Sequence, residues 1–309
     1  MDNLALTIAP LIAASINAGT PLMLAALGLL VNEKAGVVNL GAEGMMLVSA
    51  ITGFAVAVNT GSATLGFLAG AGASMLLSGF FAWLTVWLGT NQYATGLALS
   101  LFGAGASTYI GLKYVGNSLQ NGRFGIPVLE DIPVLGPALF RQHPMVYLSL
   151  LLCLAIAWFL YRTRAGLVLR AVGESPASAH ALGYPVRRIR LAAVLFGGAC
   201  CGLAGAFLSL VYTPLWVEGM VAGRGWIALA LTTFATWRPA RVVGGAYLFG
   251  GITILTFHAQ ALGVPIASQL LSMLPYLAAI VVLVLISSNA NYIKLNMPAS
   301  LGKNFNPGN

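Results

Sequence analysis

Residues 32–50, NEKAGVVNLGAEGMMLVSA, hold Glu33, Lys34 and Glu43 within eleven positions of a chain that is only 7% charged. Asn39 lies between them, and Gly36, Gly41 and Gly44 punctuate the run. Asn39 and Glu43 are candidate hydrogen-bonding groups, either facing a cavity or satisfying backbone groups freed where the glycines break the helix. A second set of the same kind is Asn91, Arg224 and Trp226, an amide, a guanidinium and an aromatic face. Such groups can pass a polar solute along, but they make no catalytic constellation. There is no GxxxxGK[ST], no HExxH and no GxSxG in the chain. His143, His180 and His258 are far apart, and Cys153, Cys200 and Cys201 fall inside apolar runs without a CxxC, so no metal site and no disulfide framework is expected. The sequence reads as a non-enzyme with no cofactor of its own.

The elements that position these groups are set by composition. Apolar residues make up 59% and the mean hydropathy is +0.88, against about 45–50% apolar and about 25% charged in soluble domains. A soluble surface cannot be built from so little charge. The expectation is an all-α polytopic membrane protein, a single domain over 1–309. The 37 glycines suit close packing of membrane helices. The N-terminus lacks a basic leader and carries Asp2, so the first apolar run reads as a retained span. The net charge of +8 gathers largely in one loop, which points to membrane orientation rather than to nucleic acid.

Nine apolar segments are readable, at about 4–31, 43–58, 63–88, 93–112, 144–161, 191–213, 224–237, 242–259 and 268–288, with eight or ten as alternatives. The loop 162–190 holds Arg162, Arg164, Arg170, Arg187, Arg188 and Arg190 against Glu174, and is expected to be cytoplasmic. Counting outward from it places Arg238, Arg241, Lys294 and Lys303 on the same side. The N-terminus with Asp2 and the loop 113–143 fall outside; in that loop Lys113, Arg123 and Arg141 nearly balance Glu130 and Asp131.

Segments 43–58 and 224–237 are short for a bilayer of about 30 Å. They also echo each other. GAEGMMLVSAITG (41–53) overlays AGRGWIALALTTF (222–234), with Gly44 on Gly225 and Thr52 on Thr233. In the expected topology they run in opposite directions, as an inverted repeat would, and short glycine-interrupted helices near the midplane mark transport pathways. Chance likeness of two apolar strings, and an ordinary polar loop at 32–42, remain open at this point. No acid lies deep in a span, where a charge costs about 2.5–3.5 kcal/mol on insertion scales, so the energy source is expected elsewhere.

The stretch ESPASAHALGYP (174–185) predicts a short helix with Glu174 and Ser175 at its start and Gly183 and Pro185 at its end. It suits docking to a soluble partner, or lying on anionic lipid.

Three blocks carry a resemblance. NEKAGVVNLGAEGMML, RAGLVLRAVGESPASAHALGYPVRRIRLAAVLFGGACCGLAGAFLSL and GMVAGRGWIALALTTFATWRPARVVGGAYLFGG resemble ABC importer permeases of the sugar, nucleoside and branched-chain amino acid group. NQYATGLALSLFGAG (91–105) and DIPVLGPALF (131–140) are similar to the shorter of the paired nucleoside-type (guanosine uptake) permeases. The resemblance implies a second, different permease chain, two ATPase subunits that hydrolyse ATP, an external solute-binding lipoprotein and a bacterial cytoplasmic membrane. It also implies that 174–185 is the helix seated in the ATPase, through Glu174, Ala177, Ser178, Ala179 and Gly183. The general importer pattern has EAA followed by Gly; here Ala177, Ser178, Ala179 and Gly183 keep the spacing without the acid. An importer permease for a simple sugar or branched-chain amino acid is the alternative, then an ion-coupled carrier acting alone.

Overall fold

The computed structural model describes residues 2–120, 124–125, 130, 132, 136–262, 267–287 and 296–306. It is helical throughout, with one isolated bridge between Ser118 and Leu215 among the described residues. The helices are α1 (Asp2–Lys34), α2 (Ala42–Thr60), α3 (Ala63–Ala82), α4 (Gln92–Gly111), α5 (Pro144–Arg162), α6 (Arg164–Glu174), α7 (Pro176–Ala181), α8 (Val186–Phe207), α9 (Arg224–Phe234), α10 (Pro239–Ala261), α11 (Ser268–Ser272) and α12 (Leu274–Ser287). One π-type turn, Trp83–Trp87, continues α3, and another, Leu208–Tyr212, continues α8.

Seven of these helices are long and apolar enough to cross a membrane: those built on α1, α2, α3, α4, α5, α8 and α10. The expectation of nine is therefore not confirmed among the described residues. Segment 224–237 forms α9, only 11 residues or about 16 Å long, and segment 268–288 is divided between α11 and the 14-residue α12. A left-handed glycine, Gly223, opens α9, and a break at Met273 separates α11 from α12. Lys294 and part of the loop 113–143 lie outside the described residues.

The centre is α1 and α8. α1 packs on α8, α9 and α10, and α8 also packs on α2 and α3. From Leu22 to Val31 α1 is buried on every side, which is why it reads as an unbroken apolar run. α8 offers small residues, Gly197, Gly198, Cys201, Gly202 and Gly205, so neighbours approach closely enough for direct bonds. Ser74 Oγ donates to the Gly198 carbonyl (2.6 Å), and Ser209 Oγ to the Ala50 carbonyl (2.7 Å). The outer faces of α3, α4, α5 and α10 expose Leu76, Leu101, Leu154 and Leu255, side chains suited to lipid or to another apolar chain.

Candidate functional site

The polar stretch after α1 is a buried, non-helical segment, residues 35–41. It climbs along α4. The Val38 N–H donates to Gln92 Oε1 (2.9 Å) at the start of α4, and Ser100 Oγ, eight residues further on, donates to the Leu40 carbonyl (2.8 Å). Eight residues of helix is about 12 Å, so α2 begins well inside the bundle. Small residues on α4 make room: a Cβ on Gly103 would come within 2.5 Å of the Gly44 backbone. Non-helical backbone at such depth is tolerated where protein surrounds it and satisfies it. Asn39 contributes directly. It is fully buried; its Oδ1 accepts from the Gly41 N–H (2.9 Å) and its Nδ2 donates to Met45 Sδ (3.4 Å).

The start of α2 meets the start of α9. One oxygen of the Glu43 carboxylate accepts from the Gly223 N–H (2.8 Å) and the other from the Gly225 N–H (2.7 Å). A helix N-terminus leaves free N–H groups and carries partial positive charge, so Glu43, though it belongs to α2, caps α9. The charge–glycine pairs of the two echoing strings, Glu43–Gly44 and Arg224–Gly225, are thus brought together at one point. A Cβ on Gly225 would lie 2.5 Å from the Glu43 backbone nitrogen, so the two chains touch backbone to backbone. Arg224 turns back on its own helix entry, donating from Nη1 to the Met220 (3.0 Å) and Val221 (3.1 Å) carbonyls, and stands 5.4 Å over the Tyr212 ring. Trp226 is half-buried one turn in.

The far end of α9 is fixed by a residue that sequence reasoning noted only as a charge. Glu33 Oε2 accepts from Thr232 Oγ1 (2.8 Å) and from the Trp237 indole N–H. Thr236 and Trp237 have φ of 48° and 53°, a left-handed conformation costly for side-chain-bearing residues. It is held by the Trp237 N–H on the Thr232 carbonyl (3.0 Å) and by the indole on Glu33. So α9 is pinned at both ends by acids, Glu43 at its start and Glu33 at its finish. The sequence signals for this were the Glu33–Lys34 pair closing α1 and the WRPAR tryptophan.

Asn91 caps α4: its Oδ1 accepts from the Tyr93 (2.9 Å) and Ala94 (3.1 Å) N–H groups. It lies at the end of the bundle where α1 finishes, apart from the Glu43 cluster, because Gln92 touches Val38, at the foot of the climb. At that same end, α7 is the short helix expected within 174–185, and α6 precedes it. Ser175 caps α7, its Oγ accepting from the Ser178 N–H (3.3 Å), and Gly183 takes a left-handed φ of 87° at its exit. Ala177, Ser178 and Gly183 are exposed, Ala179 is buried against Val172 and Val186, and Glu174 accepts from the Ala299 N–H (3.4 Å).

At the opposite end a cavity of about 1100 Å³ is lined by Asn17, Phe124, His143 and Tyr212, with Glu130 and Arg141. Arg141 pairs with Glu130 at 3.3 Å, so among the described residues the charges lining the cavity are paired. Asn17 donates to Gln142 Oε1 (2.7 Å). Burial pulls His143 down to about 4 from the usual histidine range, and its Nδ1 accepts from the Met145 N–H (3.2 Å) as the cap of α5. Tyr212 joins this cavity to Arg224 and so to the meeting point of α2 and α9.

Seven membrane-length helices thus pack with a half-length helix held by the buried Glu33 and the part-buried Glu43. Residues 11–286 match the family described as the branched-chain amino acid transport system permease component, and the chain belongs to that family. It is the permease component of an ABC transporter. It is 40% identical to a putative glucose ABC transporter permease of Haloferax volcanii, over 96% of this chain and 98% of that one. It is 32% identical to a nucleoside ABC transporter permease of Lactococcus lactis (89% and 94%) and 31% identical to a guanosine ABC transporter permease of Bacillus subtilis (95% and 97%). Haloferax volcanii and Bacillus subtilis each have a second match, named for the same solute and 26% identical. No solved structure matches the chain.

Proposed function

We propose that this chain is one of two non-identical permease subunits of an ABC importer for a neutral solute bearing a sugar ring, a nucleoside foremost. Two ATPase subunits would seat on α7 and hydrolyse ATP, and an external lipoprotein would deliver the solute. The chain would sit multi-pass in a bacterial cytoplasmic membrane with its N-terminus external and its C-terminus cytoplasmic. The observation that carries the solute class is the state of the polar groups along the cavity and α9. Among the described residues, the cavity acid Glu130 is paired with Arg141, burial disfavours the charged form of the histidine beside it, and Glu43 already fills the α9 N-terminus. A zwitterionic amino acid would need a free helix N-terminus or an unpaired charge for its carboxylate. A nucleoside or hexose needs aromatic faces and neutral hydrogen-bonding groups, which Phe124, Tyr212 and Asn17 supply.

In this reading Arg224 and Trp226 border the pathway, while Asn39, Glu43 and Asn91 hold the helix ends that shape it. The paired relatives in two organisms support a second permease chain. A simple sugar is the second reading, favoured by the 40% identity to the protein named for glucose. Uptake of labelled guanosine by cells carrying the full transporter, with unlabelled adenosine, glucose or leucine as competitors, tests this. Competition by nucleosides is expected. Competition by glucose alone would move the assignment to sugars, and uptake of leucine would overturn it.

A further inference from the structure

The C-terminal segment, residues 296–306, crosses the end of the bundle where α1 finishes and α7 lies. It has no helix of its own, yet its backbone and side chains are fastened to four separate parts of the chain. Ser300 binds the Gly173 carbonyl twice, from Oγ (2.6 Å) and from its N–H (3.1 Å), two residues ahead of the cap of α7. The Gly302 N–H donates to the Gly36 carbonyl (3.1 Å), at the foot of the climbing segment. Asn304 Nδ2 donates to the carbonyls of Gly89 (2.6 Å) and Thr90 (3.1 Å), and its Oδ1 accepts from Gln92 Nε2 (3.2 Å). Gln92 in turn accepts the Val38 N–H. Phe305 packs against the His180 ring of α7 with centroids 5.6 Å apart, over the small cluster of Val172, Ala179 and Val186.

At the centre of this lacing is Arg190, only 2% exposed. Its three nitrogens donate to the Ala35 carbonyl (3.2 Å), the Lys303 carbonyl (3.0 Å) and Ser300 Oγ (3.2 Å). A buried guanidinium is costly unless its donors are met, so these three neutral acceptors cannot drift apart independently. Two hydrogen-bonded routes therefore run into residues 35–41, one from the end of α6, which leads into α7, and one from the α3–α4 turn. The first passes through Gly173, Ser300 and Arg190 to Ala35, and the second through Asn304 and Gln92 to Val38. That climbing segment leads straight to Glu43, the cap of α9.

We propose that residues 296–306 are a coupling strap: Arg190, Ser300 and Asn304 act as positioning residues that join movement of α7 to the segment leading into α2 and to the seating of α9. This rests on the reading of α7 as the ATPase-facing helix. The strap and α7 move as one body, and the strap carries that displacement inward to Glu43.

The test uses the complete transporter, chain and partners together, in proteoliposomes. Solute uptake and the ATP hydrolysis stimulated by the loaded external protein are measured in parallel for Ser300→Ala, for Asn304→Ala and for a chain ending at Lys303. Assembled complex is quantified for each. The expected result is assembly and ATP hydrolysis near those of the unaltered chain, with solute moved per ATP reduced about tenfold, the size of one lost hydrogen bond in a positioning contact. An unchanged ratio of solute to ATP would overturn the proposal, and so would uptake, hydrolysis and assembly falling together, which is what a merely structural role gives. A second measurement holds even if the shortened chain fails to assemble. His180→Cys and Phe305→Cys are introduced with Cys153, Cys200 and Cys201 replaced by alanine, and joined by a short bis-maleimide. Uptake that survives the cross-link supports a strap moving with α7; uptake abolished by it shows that the strap must detach, and overturns the proposal. If the unaltered chain neither assembled with an ATPase nor transported, the importer reading itself would fail, an outcome distinct from either strap result.

Discussion

Glu43→Gln is the substitution with the most definite consequence. The carboxylate gives one oxygen to each of two backbone N–H groups, at 2.8 and 2.7 Å, at the start of α9. Glutamine keeps one acceptor and turns an amide N–H toward the other donor. A hydrogen bond to a charged group contributes about 1.5–3 kcal/mol, and a negative charge at a helix N-terminus adds about 0.3–1 kcal/mol. Losing one bond and the charge therefore costs α9 about 2–4 kcal/mol of docking energy. At tenfold per 1.4 kcal/mol, this opens the start of α9 roughly 30- to 700-fold more often. Hydrogen–deuterium exchange on the peptide spanning 221–228 of the purified complex reads that opening directly. Uptake is expected to fall in step, with the amount of assembled complex retained. Exchange within about threefold of the unaltered protein would refute the capping account, since about 0.7 kcal/mol is below any value the geometry allows. If uptake then fell regardless, the carboxylate would be acting on the solute itself.

Other consequences can be checked in the same preparation. Trp237→Phe removes the indole N–H from Glu33 while keeping an aromatic ring, and is expected to cost about 1.5–3 kcal/mol; thermal unfolding in detergent reads the loss, and an unchanged midpoint contradicts it. Gly183→Val meets open space but must adopt φ 87°, a strain of about 1–2 kcal/mol at the exit of α7, so ATPase co-purification should weaken while the membrane helices stay folded. His143 is held neutral down to about pH 4. Its folded pKa lies below its unfolded one, so its contribution is intact above about pH 6.5 and is lost as pH falls towards 4. Unfolding midpoints of the unaltered protein and of His143→Gln should converge over that window; parallel curves would remove the role of burial. Impermeant labelling of Ser178→Cys in the cysteine-free background from outside the cell should fail, and success would reverse the proposed orientation.

The sequence made the class plain because burying nearly every apolar residue inside a soluble core is impossible at 7% charge. It also marked where the helices break. Glycine and charge in NEKAGVVNLGAEG cannot continue a span, and Ser175 and Gly183 bracket α7 by ordinary capping chemistry. What a one-dimensional reading misses is tertiary satisfaction. For Asn39 and Glu43 the sequence left open whether they face a solute or satisfy broken backbone, and Asn91 read as a pathway group; in the fold the oxygens of all three accept from backbone N–H groups. Arg190 counts in the sequence as one more orientation charge, although it is buried and bonded to three acceptors on two segments. The count of nine spans is not confirmed at 224–237 for a related reason. Apolar length in 224–237 measures burial, and α9 is buried by protein and not by lipid.

The central claim is that this chain forms a pathway for a neutral sugar-ring solute and takes its energy from partner ATPases. Reconstituting it in proteoliposomes with its second permease, ATPases and external binding protein, and following labelled guanosine and labelled glucose with and without ATP, tests that claim most directly. The account predicts accumulation of one of these solutes that needs both ATP and the ATPase subunits. Accumulation by the permease chains alone, driven by an ion gradient, would contradict it.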